Sequence, residues 1–167
     1  ADPSLFTDDT LGTANIRCQR FGLLCDGQPI ADGQGNYTNC VPDKNSLYLR
    51  HPAEYSSFLA TLKEDPEDII IASIMGVPNA NKDLRIVPSN SSGLEAGTVC
   101  VDSTFGNPAP AFRTSLFLEA FPKRHLSVSL CEENLSGAME EIGSLIDAVV
   151  APCLSGNIQR GDEHPEE

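Results

Sequence analysis

The chain has 167 residues, 12 prolines, 13 glycines and six cysteines, and 11 basic against 24 acidic residues leave a net charge of −13. That length suits one domain with an ordinary core, and the negative excess repels a phosphate backbone or an anionic membrane surface, so nucleic acid is not an expected partner. No apolar run approaches the roughly 18 residues of a membrane span, and the first residues lack the basic flank and apolar centre of a signal peptide. The chain is therefore expected to be soluble and to begin at a mature terminus or inside a longer protein.

Residues 1–50 hold no sustained helical or strand period and are rich in turn formers. Cys18, Cys25 and Cys40 lie here among Asp26-Gly27, Asp32-Gly33 and Gly35-Asn36, pairs that favour tight turns with positive φ. The segment reads as a cysteine-stapled loop excursion of the same domain. None of the six cysteines forms a CxxC pair, and His51, His125 and His164 stand far from them without zinc-ligand spacing. Cys18, Cys25, Cys40, Cys100, Cys131 and Cys153 are accordingly expected to form disulfides in an oxidising compartment.

Pro52 suits the first turn of a helix, and Tyr55, Phe58, Leu59 and Leu62 follow at helical spacing, which predicts a helix over 52–63. From Glu67 to Pro78 the run EDIIIASIMGVP is apolar almost without alternation. Such a run suits a central strand covered on both faces in a helix-flanked parallel sheet. Asp65-Pro66 punctuates its start, and Gly76 and Pro78 end it.

Residues 79–110 are polar and broken by Pro and Gly, with Cys100 inside them and a short strand expected at 84–87. Phe112, Leu116, Phe117, Ala120 and Phe121 predict a short helix that stops before Pro122. In His125 to Cys131, Leu126, Val128 and Leu130 alternate with polar residues, the pattern of a strand with one more exposed face. The clearest helix is expected from Leu135 to Val150, where Ala138, Met139, Ile142, Leu145, Ile146 and Val149 keep the helical stripe and Asn134 or a neighbouring acidic residue can cap the start. Residues 155–167 read as an acidic, mobile tail.

Helix, buried strand, loop, helix, strand, helix is the order of half of a doubly wound, Rossmann-like α/β domain. The run HPAEYSSFLATLKEDPEDIIIASIMG from His51, GNPAPAFR from Gly106, and LSVSLC with the final helix to APCL resemble the C-terminal part of a von Willebrand factor type A domain, in the disulfide-containing version of bacterial secreted lipoproteins. The resemblance covers about 47–154, and 51–154 is the expected C-terminal half of such a domain. It implies a metal-ion-dependent adhesion site built from a D-x-S-x-S motif, a Thr and an Asp around Mg²⁺ or Ca²⁺. That motif does not occur here: Asp102-Ser103-Thr104 and Asp8-Asp9-Thr10 are superficial matches that follow no apolar strand. By the resemblance, residue 1 falls just after the family's fourth strand. The metal ligands are then expected upstream, and no cofactor is expected in this chain itself.

Cys131 opens the last helix and Cys153 follows its end, roughly 30 Å apart at about 1.5 Å per residue, which is too far for a disulfide. Cys131 and the 79–110 loop share one sheet edge in this arrangement, so Cys100 is expected to pair with Cys131. One local pair is expected among Cys18, Cys25 and Cys40, leaving one cysteine and Cys153 to meet each other or partners upstream.

No G-x-S-x-G, G-x-x-x-x-G-K, G-x-G-x-x-G or H-E-x-x-H motif occurs. Glu132-Glu133 and Glu140-Glu141 read as solvated helix charges, and no catalytic residue is assigned. Arg113 is expected to orient the 106–112 loop through its carbonyls. Asn36, Asn90 and Asn134 begin N-glycosylation sequons that matter only in a eukaryotic secretory pathway. The expected function is a non-enzymatic, extracytoplasmic protein-interaction or adhesion module, its protein ligand meeting the loops at 13–47 and 79–110. The alternatives are a secreted hydrolase, in which His51 or His125 would meet a Ser and a carboxylate in one cleft, and an inactive scaffold fragment.

Overall fold

Asp26 and Gly27 both adopt positive φ, 49° and 74°, and so turn the first hairpin of the fold. The computed structural model describes residues 1–90, 93–101, 104 and 106–150. In chain order it contains α1 (Ser4–Thr7), α2 (Arg17–Gly22), β1 (Leu23–Cys25), β2 (Gln28–Pro29), β3 (Gly35–Tyr37), β4 (Cys40–Pro42), α3 (Pro52–Ala60), β5 (Ile71–Met75), β6 (Leu84–Pro88), β7 (Leu94–Ala96), α4 (Phe112–Glu119), β8 (His125–Ser129) and α5 (Ser136–Val150). The architecture is mixed α/β with small sheets.

Residues 1–50 are more ordered than their turn-rich composition suggests. β1 pairs antiparallel with β2 on one side and β4 on the other, and Cys25 stands directly opposite Cys40, to which it is disulfide-bonded with Cα atoms 4.0 Å apart. Gly35 opens β3 instead of forming a positive-φ turn, because Gly35, Asn36 and Tyr37 pair antiparallel with Ile86, Arg85 and Leu84. β6 in turn pairs with β7, so the short strand expected at 84–87 is the centre of a three-stranded sheet.

The core draws on both of these small sheets. Ile16, Leu23, Cys25, Ile30, Cys40, Leu84, Ile86 and Phe112 form one buried cluster, flanked by Tyr37, Leu94 and Ala96. The expected binding loops at 13–47 and 79–110 therefore hold most of the buried apolar residues. Their strands are only two to five residues long, too short to show a period in the sequence.

β5 and β8 form the third sheet, a parallel pair in the register Ile71↔His125 to Met75↔Ser129, with α4 in the connection. Among the described residues, β5 is one of two strands rather than the centre of a doubly wound sheet. Met75 is its only buried residue and Ala72 is exposed, which corrects the expectation of cover on both faces. An apolar run records that a strand needs cover, but does not supply the neighbours that provide it.

The local readings of the helices hold, with shorter ends. His51 and Glu54 form a capping box at the start of α3, and Thr61 closes it, two residues before the expected end. Asn134 Oδ1 accepts the backbone N–H of Ser136 at 2.8 Å and so caps α5. The stripe of α5 is only partly covered: Ala138 is buried, whereas Met139 and Ile146 are exposed. Cys100 is bonded to Cys131, as expected, with Cα atoms 5.9 Å apart. Cys18 is exposed and has no disulfide partner among the described residues. Cys153 and the 155–167 tail lie outside those residues. No helix among the described residues is long and apolar enough to cross a membrane.

Candidate functional site

Two clefts flank α4. The first, of about 490 Å³, is reached from the start of α3, the end of β4 and the turn at 79–82. Its polar lining is Lys44, His51, Asn79, Lys82, Ser115 and Glu119, and its apolar lining includes Val41, Pro42, Pro78, Phe112 and Leu116.

Local structure holds the polar groups in place. His51 is the N-cap of α3: its Nδ1 accepts the Ala53 N–H at 3.3 Å, and its own N–H donates to Glu54 Oε1 at 3.2 Å. Because Nδ1 accepts, the neutral ring carries its proton on Nε2. Nε2 is buried and has no hydrogen-bond partner among the described residues. Lys82 sits at φ 52°, with its N–H on the Asn79 carbonyl at 2.9 Å and its carbonyl accepting the Cys40 N–H at 3.1 Å. The turn is thereby fixed to β4.

This cleft gathers a histidine, a serine and a carboxylate, the grouping that a spatially assembled hydrolase requires. The tautomer opposes that chemistry. A general base must accept the serine proton on one ring nitrogen and donate the other N–H to an orienting carboxylate. Here Nδ1 is occupied by a backbone donor, and Nε2 is bonded to neither Ser115 nor Glu119. His125 lies elsewhere, with Nδ1 2.8 Å from the Phe121 carbonyl oxygen.

The second cleft, of about 470 Å³, lies between α3 and α4 and is lined by Pro52, Tyr55, Phe58, Leu59, Arg113 and Phe117, together with Thr114. The predicted apolar face of α3 is largely uncovered: Phe58 is 61% exposed and Tyr55 46%, and Leu62 just beyond the helix is 58% exposed. Arg113 is placed differently from expectation. Its guanidinium donates to the carbonyls of Gly22, at 3.4 Å, and of Arg50, joining α4 to the end of α2 and the entry of α3 instead of ordering the 106–112 loop. Partial burial holds it below the usual guanidinium value.

The other singled-out residues separate. Glu132, Glu133, Glu140 and Glu141 are exposed, as are Asn36, Asn90 and Asn134. Asp8 is engaged locally, its Oδ1 accepting from the Thr10 backbone N–H and hydroxyl at 2.9 and 2.6 Å. Among the described residues no three His, Cys, Asp or Glu side chains gather as a metal site would need, so these residues do not fit the Mg²⁺ or Ca²⁺ centre of the resembled family. Asp102 and Ser103 lie outside those residues. Lys44, Lys82, Ser115 and Glu119 carry no motif. His51 had one signal, its place directly before the helix-starting Pro52.

No protein-family model, curated protein or solved structure matches the chain. The likeness to a von Willebrand factor type A domain therefore rests on the residues that suggested it.

Proposed function

We propose that the chain is a non-enzymatic, extracytoplasmic protein-interaction module that takes an amphipathic helix of a partner protein into the cleft between α3 and α4. The exposed aromatic face carries this reading. Tyr55, Phe58 and Leu62 leave apolar surface in water beside a cleft lined by Leu59 and Phe117. Continuous apolar patches of this kind mark interaction sites on soluble proteins, and grooves between helices suit a partner helix. The two disulfides are compatible with an oxidising compartment. The parallel β5–α4–β8 unit followed by α5 supports the von Willebrand factor A-like reading, with the doubly wound sheet as its extension. In this proposal docking is metal-free.

A photo-crosslinking residue at position 58, compared with one at Asp147 on exposed α5, tests the proposal in cells that make the protein. One defined adduct from position 58, absent from 147 and lost on Tyr55→Ser, supports it. Identical adducts from both positions, or none, refute it.

The shared lining of His51, Ser115 and Glu119 favours hydrolase chemistry as a second reading. A fluorophosphonate probe separates the two, because covalent labelling of Ser115 requires an activated hydroxyl.

A further inference from the structure

We infer that β5 pairs with β5 of a second copy of this chain, antiparallel about a two-fold axis at Ala72, so that two parallel pairs join into one four-stranded sheet. The contact uses neither of the clefts beside α4. Its starting point is the direction of the main-chain groups of β5. Ile71 N–H donates to the Arg124 carbonyl at 2.9 Å, and the Met75 carbonyl accepts the Leu130 N–H at 2.8 Å. In the parallel register with β8, the main chain of Ile71, Ser73 and Met75 therefore faces β8. The N–H and C=O groups of Ala72 and Ile74 point out of the other edge, where they have no strand partner among the described residues. Beyond Met75 that edge is closed, because the Gly76 carbonyl accepts the Ala111 N–H at 2.8 Å.

A free row of alternating donors and acceptors selects an extended strand as its occupant. β5 lacks the devices that keep such an edge single, since the run IIIASIM over 69–75 holds no charge, proline or glycine. Ala72 is exposed, and Ile70 and Ile74 are only half-buried. Charge placement favours a second copy and sets its direction. The nearest charges along the chain are Glu67 and Asp68 before the strand, and none follows until Lys82. Antiparallel pairing puts the two acidic starts at opposite ends, whereas parallel pairing of two copies sets them side by side. About Ala72 the free edge is its own complement: Ala72 opposes Ala72, and Ile70 opposes Ile74, in a register that keeps clear of the occupied Gly76 carbonyl. A two-fold contact requires that self-complementarity. Because each copy carries a net charge of −13, added salt screens their repulsion and strengthens the pairing.

The test uses the full, oxidised chain with its free thiols capped, and reads self-association by sedimentation equilibrium and edge pairing by amide hydrogen exchange. A dimer that tightens with salt is expected. Exchange at Ala72 and Ile74 is expected to slow at least tenfold as the chain concentration rises through the dimerisation range, while exchange at Ile71 and Ser73, which face β8 in either state, stays constant. Ala72→Lys and Ala72→Glu, at an exposed position, each set like charges opposite one another across the axis. Each is expected to weaken dimerisation at least tenfold, and their equimolar mixture to restore it as a heterodimer. Ala72→Pro removes one outward N–H and no bond to β8, and is expected to give a monomer with an unchanged urea midpoint. A chain that stays monomeric at millimolar concentration, a dimer indifferent to all three variants, or exchange at Ala72 and Ile74 that ignores concentration overturns the inference. Failure of the mixture to restore the dimer overturns the two-fold register at Ala72.

Discussion

The guanidinium of Arg17 reaches back to the carbonyl of Leu5, which accepts from Nη1 at 3.0 Å, and both residues are buried. Nε and Nη2 of the same side chain donate to the Gly12 carbonyl at 3.0 and 2.7 Å. One planar fork thus satisfies two carbonyls of a segment that has little regular structure to satisfy them. Arg17→Met keeps the apolar stem and leaves both carbonyls without these donors. We expect it to cost about 3 kcal/mol, read as a lower urea midpoint. Arg17→Lys should recover only part of that loss, because an ammonium does not reproduce the fork.

The two disulfides should contribute unequally, in the opposite order to their loop lengths. Closing the 31-residue separation of Cys100 and Cys131 is worth about 3.7 kcal/mol by chain entropy, against about 3 kcal/mol for the 15-residue separation of Cys25 and Cys40. Cys25 and Cys40 are core residues at 4% and 0% exposure, so replacing them also opens a cavity. The Cys25→Ala/Cys40→Ala chain should therefore be the less stable of the two double variants in urea. A Cys25→Ala/Cys40→Ala chain more stable than the other by about 0.7 kcal/mol would show that the first disulfide contributes only its loop term.

Asp26 should give a small acid-dependent contribution. The Asn39 side-chain amide and the Thr38 hydroxyl donate to its carboxylate at 2.6 and 2.7 Å, holding its pKa below the ordinary 3.8. A lowered folded value means that the stabilisation is present at neutral pH and is lost as pH falls below 3.8 through the folded value. Asp26→Asn keeps a side chain suited to its φ of 49°. The variant should be slightly less stable than the parent at pH 7, and the two should converge in acid. A gap that persists in acid would assign the effect to the turn geometry.

Leu118 on α4 and Phe58 on α3 should separate packing from recognition. Leu118 is 1% exposed and Phe58 is 61% exposed. Leu118→Ala should cost about 3 kcal/mol, whereas Phe58→Ser should stay within about 0.5 kcal/mol. Differential scanning calorimetry reads both. Destabilisation by Phe58→Ser of the size seen for Leu118→Ala would mean that Phe58 serves the core instead of a partner.

Much of the local structure was legible because its causes are local. Pro52 and the spacing of Tyr55, Phe58 and Leu59 marked α3, Asn134 marked the start of α5, and Asp26-Gly27 marked a positive-φ turn. The cleft at the start of α3 was much less legible. Lys44, Lys82 and Glu119 come from a segment after β4, a turn before β6 and the end of α4, and nothing in their spacing predicts that they line one cleft.

By itself, then, the sequence determined where α3, α4, α5, β5, β6 and β8 lie, because periodicity and capping act over short stretches, and the sheet-edge arrangement it suggested placed Cys100 with Cys131. Only the tertiary structure decided which apolar residues are covered. It buried Ile16 and Ile30 in a segment without a visible period, while leaving Phe58 and Ala72 in water. Burial depends on which distant strand or helix supplies the opposing surface, and that pairing is a property of the whole chain.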